Sequence, residues 1–203
     1  HRPGPASTGP GRTKDDGGRA DGCRMSSTAR PAGLYDGAAG PARMEKVAIE
    51  DVRVETNPLE VHSVRKPVSG ALGTTDFAMN YFELEPGESF SGGLHTHHDQ
   101  EEVFYVESGE TTFEIGTDRE EVVVGERELI RFAPGEYQTG YNSGDERAVG
   151  WALGAPGARH DWDDLESVVD CRECGEETGH ATTLTDEGRF ELVCNECGNA
   201  FTL

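Results

Sequence analysis

Between Met79 and Leu153 the chain breaks into short apolar runs rich in β-branched and aromatic residues, each closed by glycine, proline or aspartate. The runs predict strands near 79–85, 90–97, 102–107, 110–115, 120–124, 128–132, 137–142 and 147–153. Turn signals stand between them at Pro86-Gly87, Ser108-Gly109, Gly116-Thr117-Asp118, Gly125, Pro134-Gly135 and Ser143-Gly144-Asp145. Such short connections require antiparallel neighbours. About eight short antiparallel strands predict a small barrel or jelly roll, an all-β arrangement that limits exposed sheet edges. Residues 47–54 and 61–66 are read as added edge strands, and 161–166 as a short helix.

Two further strand-like runs, Ala181–Leu184 and Phe190–Val193, flank the turn Asp186-Glu187-Gly188 near the C-terminus. Residues 1–43 behave differently. They hold nine Gly and five Pro but no Val, Ile, Phe or Trp, too little apolar surface to offset the entropy of ordering. They are expected to be a disordered tail, or upstream sequence preceding a physiological start at Met44. Cys23 stands there without an assigned role. The expected organisation is a tail over 1–43, a barrel over 44–155, a linker over 156–170 and a small module over 171–203.

The charge is strongly acidic and uneven. The whole chain carries 18 Lys/Arg, 39 Asp/Glu and a formal charge of −21, while residues 1–43 alone carry a net +3. Only three residues are lysine. Many carboxylates with few lysines point to a cytoplasmic protein soluble in concentrated salt. Nucleic acid and anionic membranes are disfavoured as partners, and no apolar run approaches the ~20 residues of a membrane helix.

The main chemical signal is Gly93-Leu94-His95-Thr96-His97-His98-Asp99-Gln100-Glu101-Glu102. On a strand His95 and His97 point to the same face. After a turn over 98–101, Glu102 opens the next strand and can bring its carboxylate beside the two imidazoles. This two-histidine, one-carboxylate set with open positions suits Fe(II), and also Mn, Co, Ni or Zn. Glu101 is the rival carboxylate, and His98 has the opposite parity. The spacing H-x-H-x4-E-x6-G over His95, His97, Glu102 and Gly109 resembles the first motif of the cupin superfamily. The second motif is matched by Gly125, Pro134, Gly135 and Asn142, with Gln138 where that family has a histidine. The stretch from 47 to 153 is similar to small stand-alone cupins of halophilic archaea. The resemblance implies a double-stranded β-helix, a barrel metal bound by His95, His97, Glu102 and Gln138, and a homodimer. Tyr137 and Tyr141 flank Gln138 and are placed at the barrel mouth. Arg131 either faces an anionic ligand inside the barrel or is a solvated charge. Tyr81, Phe82 and Phe104 are assigned to the core, and Trp151 to the core or a dimer interface.

Cys171-x2-Cys174 and Cys194-x2-Cys197, nineteen residues apart, form the pattern of a zinc ribbon. A redox dithiol pair is the competing reading, and His180 is a competing ligand. So short a module folds only with its metal, and four sulfurs close the coordination, so this zinc is structural. Residues 171–203 hold just Arg172 and Arg189 against seven acidic residues. The ribbon is therefore expected to contact protein rather than nucleic acid. Three functions remain open: a metal-binding barrel holding a small molecule, a mononuclear-metal dioxygenase or isomerase, and a metal-free sensor or interaction module.

Overall fold

The computed structural model describes residues 44–55, 57–159 and 164–203. Within them thirteen strands form two antiparallel sheets. In chain order the first nine are β1 (Val64–Pro67), β2 (Ala78–Leu84), β3 (His95–His97), β4 (Glu101–Ser108), β5 (Glu110–Ile115), β6 (Glu120–Gly125), β7 (Leu129–Phe132), β8 (Gln138–Tyr141) and β9 (Ala148–Ala155). The last four are β10 (Leu165–Cys171), β11 (Glu176–Leu184), β12 (Phe190–Cys194) and β13 (Ala200–Thr202). One sheet has the order β1-β2-β9-β4-β7 and the other β13-β12-β11-β10-β3-β8-β5-β6. The nearly all-β architecture expected from the alternating pattern is present. No helix among the described residues is long and apolar enough to cross a membrane.

The core lies between the sheets because each strand sends alternate side chains inward. Phe82 and Leu84 of β2, Phe104 and Val106 of β4, Phe113 of β5, Val124 of β6 and Phe132 of β7 are buried together with Phe90. Phe113 stacks on Phe90 at 5.9 Å and lies edge-tilted to Phe104 at 4.9 Å. This dense aromatic packing dictates glycine at two strand positions. A Cβ at Gly140 would enter the Phe113 ring, and one at Gly150 would lie 2.9 Å from Phe90. Tyr81, assigned from sequence to the core, has the opposite parity to Phe82. It lies on the outer face, with its ring 5.1 Å from Trp151 and its hydroxyl on Glu83. Trp151 shares that outer face and donates to Glu107.

Several expectations need correction. The strand read over 90–97 is confined to His95–His97, because Phe90 turns into the core and Gly93 takes φ 146°. The edge strand over 47–54 is replaced by a 3-10 turn, Ile49–Asp51. That over 61–66 shortens to β1, and a five-residue helix α1 (Val68–Leu72) follows. The largest change is at 156–170. This stretch is not a linker throughout, since Leu165–Cys171 is strand β10. Of the helix expected over 161–166, residues 161–163 lie outside the described residues, and Leu165 and Glu166 belong to β10. This strand pairs on one side with β3, Leu165 opposite His97 and Ser167 opposite His95, and on the other with β11. The cysteine module is thus a continuation of the barrel sheet. The tail over 1–43 lies outside the described residues.

Candidate metal centre

His95 and His97 stand two residues apart on β3 and Glu102 is the second residue of β4. The turn between them is held from both sides. The Gly135 amide of the β7–β8 turn donates to the His97 carbonyl at 2.9 Å. The Gln100 carboxamide, 4 % exposed, donates to the carbonyls of Gly157 and Arg159 at 3.2 and 3.1 Å. As a result one donor atom from each of His95, His97 and Glu102 lies within 4.8 Å of the others. The rings of the two histidines are 5.1 Å apart and nearly perpendicular, and His97 Nε2 is 3.6 Å from Glu102 Oε1. Parity settles the carboxylate. Glu102 pairs with the buried Phe132 and points inward, whereas Glu101 points outward and meets Arg131 at 2.6 Å. His98 is on the outer side with Glu166.

Gln138 is opposite His95 in the β3–β8 pairing and only 2 % exposed. Its Nε2 donates to Glu102 Oε2 at 2.7 Å and lies 3.3 Å from His95 Nε2. The residue in the second motif's ligand position therefore joins the same cluster. Its Oε1 is buried with no hydrogen-bond partner among the described residues. Burial pushes the Glu102 carboxyl up to about 7; Gln138 opposes this and the Asp99 charge adds to it. A cation beside this carboxyl would offset the cost of burying its charge.

These residues fit a divalent metal. His95 Nδ1 is 2.9 Å from the Gly93 carbonyl, which only accepts, so Nδ1 carries the hydrogen and Nε2 turns its lone pair to the cluster. Ligand atoms around a small divalent ion are about 3–4 Å apart, within reach of this set. Rotation of the Gln138 amide would offer the unpartnered Oε1 as a further oxygen ligand.

Residues 80–152 match the family model described as "Cupin domain". Among solved structures, a sugar phosphate isomerase of the cupin superfamily from Silicibacter pomeroyi aligns with TM-score 0.50 and 18% identity, over 78% of this chain and 92% of that one. The central barrel has the cupin fold, a double-stranded β-helix. A Klebsiella pneumoniae protein with a double-stranded β-helix domain aligns at TM-score 0.46 and 20% identity, covering 57% of this chain and 87% of its own. A Cupin 2 conserved barrel protein from Salinispora arenicola aligns at TM-score 0.42 and 15% identity, over 57% and 90%. No curated protein matches the chain. At these identities the likeness concerns the fold.

The cluster lines a cavity of about 440 Å³. Among the described residues its floor is Phe82, Phe90 and Phe104. One wall is built by the C-terminal strands, with Leu165 and Ser167 of β10, Thr182 of β11 and Phe190 and Leu192 of β12. Sequence reasoning missed this wall, because nothing local to 165–203 tells which surface the module covers. Tyr137 and Tyr141, expected at the barrel mouth, and Arg131, left open between ligand and solvent, are not among the described lining residues. Arg131 alternates with the inward Phe132 and is exposed. Tyr137 donates to Glu166 at 2.6 Å, and Tyr141 to Glu121 at 3.3 Å. Asn142, the last residue of the second motif, has a structural role: its carboxamide donates to the Leu84 and Glu146 carbonyls and accepts from the Gly144 amide.

The cysteines form a second cluster. Cys171, Cys174, Cys194 and Cys197 place their sulfurs within 4.8 Å of one another, and all are free thiols. Cys171 and Cys197 are 3.6 Å apart and Cys174 and Cys194 3.9 Å, far beyond the ~2.05 Å of a disulfide. Two matching knuckles aim them. The Gly175 amide donates to the Cys171 carbonyl and the Gly198 amide to that of Cys194, each glycine at positive φ. The Thr178 hydroxyl beside Cys194 holds that thiol down at about 6. His180 is not among the grouped donors; it is fully buried and edge-on to Phe201.

Proposed function

We propose that this protein binds one divalent metal in the cupin barrel through His95, His97 and Glu102, with Gln138 as an added oxygen ligand. It holds a small oxygen-bearing molecule at the positions left open. The observation that carries this reading is the convergence of the three donors, with His95 oriented by Gly93, on the lining of a cavity of metabolite size. The metal when bound supplies Lewis-acid polarisation of a ligand oxygen. The chain's own residues orient the ligand and keep water from it: the aromatic floor is apolar, and the β10–β12 wall lines one side.

In the same reading the four cysteines hold a structural zinc. Four sulfurs leave no open position for chemistry. The zinc clamps β10 to β12 and so fixes the cavity wall. The test is metal content per chain for the wild type and a His95→Ala/His97→Ala variant. Two metals in the wild type, and one zinc in the variant, are the expected result. A single zinc in both would overturn the barrel site.

A further inference from the structure

The cavity that contains the histidine pair also contains a guanidinium. Arg65 on β1 pairs directly with Phe82 on β2, and directly opposed residues share one face of a sheet. Phe82 is 3 % exposed in the core, so Arg65 points inward, and it lines the cavity together with His95, His97 and Glu102. Asn80, two residues before Phe82, projects from the same face and lines the cavity too.

This arginine is handled unlike those on the surface. Arg119, Arg131 and Arg147 each reach a carboxylate at 2.6 Å. No carboxylate is within ion-pair distance of Arg65 among the described residues. The charge acting on it is that of the exposed Glu55. Burial lowers its pKa, with Glu55 opposing. Glu102 is the one acidic side chain among the described lining residues, and it belongs to the metal cluster. In a chain with 39 acidic and 18 basic residues, a half-buried inward guanidinium with no ion-paired carboxylate is only partly compensated, by Glu55. An oxyanion entering the cavity would complete it. The planar fork of arginine matches carboxylate and phosphate with two parallel hydrogen bonds, and the Asn80 carboxamide is placed to donate another.

We propose that Arg65, assisted by Asn80, is an anion subsite of the cavity, so that the molecule bound by the barrel carries a carboxylate or phosphate group. This rests on the reading of the cavity as the ligand site. The subsite separates two ends of the ligand: oxygens toward His95, His97 and Glu102, and the oxyanion toward β1.

The test uses the full metal-loaded chain and three probes of one carbon skeleton: glycerol 3-phosphate, glycerate and neutral glycerol. Dissociation constants are measured for the wild type, Arg65→Gln and Arg65→Lys at one salt concentration. At least one anion is expected to bind the wild type at least tenfold tighter than glycerol. That margin should vanish in Arg65→Gln and be partly kept in Arg65→Lys, with metal content unchanged. Which anion prevails tells carboxylate from phosphate. A second readout needs no variant: the Arg65 Nε–H resonance of the wild type should shift on adding the preferred anion. Equal binding of all three probes, or an Arg65→Gln variant within twofold of wild type for both anions, would overturn the subsite. His95→Ala/His97→Ala distinguishes the two readings. If the wild type carries no more metal than that variant but its Arg65 resonance still shifts, the metal reading fails and the subsite stands. Metal binding with no anion preference has the opposite meaning.

Discussion

Glu102 is buried beside two imidazoles, with its carboxyl pushed up to about 7 from an ordinary 4.5. The metal-free folded state therefore holds this proton more tightly than the unfolded chain does. Its contribution to stability is fully present below the unfolded pKa and is lost as pH rises through about 7. The loss is on the order of 3 kcal/mol. Melting of the metal-free protein between pH 5 and 8 should show it, and Glu102→Gln should flatten the dependence while abolishing barrel metal. A variant that melts with the wild type's pH slope would be the contrary result. Asn142 shows the other kind of polar residue. Its three backbone hydrogen bonds link the end of β2 to the turn before β9. Asn142→Ala should cost about 3 kcal/mol in denaturant unfolding, because buried carbonyls lose their donors.

Strand β10 couples two sites that the sequence separates by seventy residues. One edge carries Ser167 opposite His95, and the strand ends at Cys171. Loss of the metal proposed for the cysteines should therefore loosen the edge of the histidine strand. In Cys171→Ser/Cys174→Ser, hydrogen exchange should accelerate through β10–β12 and at His98, whose amide donates to the Asp164 carbonyl. The central β4–β9 pair should keep its protection, since it lies in the other sheet. Uniform exchange across both sheets would mean that the module is required for the whole fold. Retained protection throughout would mean that the cysteines do not clamp the wall.

At the scale of the whole molecule the formal charge of −21 dominates. Self-repulsion among carboxylates weakens as the screening length falls from about 10 Å at 0.1 M to about 3 Å at 1 M salt. The melting temperature is expected to rise by several degrees between those salt concentrations. Exposed ion pairs such as Arg131–Glu101 and Arg147–Glu83 contribute little in either condition. A melting temperature indifferent to salt would show that the acidic surface does not limit stability.

Alternation and turn residues determined the strands from β2 to β9, because their period and their breakers are local properties of the chain. The H-x-H-x4-E spacing likewise named His95, His97 and Glu102, but Glu101 stayed a rival until the structure turned it onto Arg131. Gln138 was legible too, from its place after Pro134-Gly135. Tyr137 and Tyr141 were placed at the barrel mouth and Arg131 was left open, because closeness in sequence to an inward residue does not give the face. The tertiary structure alone decided the rest. It turned Arg65 into the cavity through pairing with Phe82, and it laid β10 along the histidine strand. Both depend on contacts between residues far apart in the chain, and such pairings leave no periodic mark on either partner.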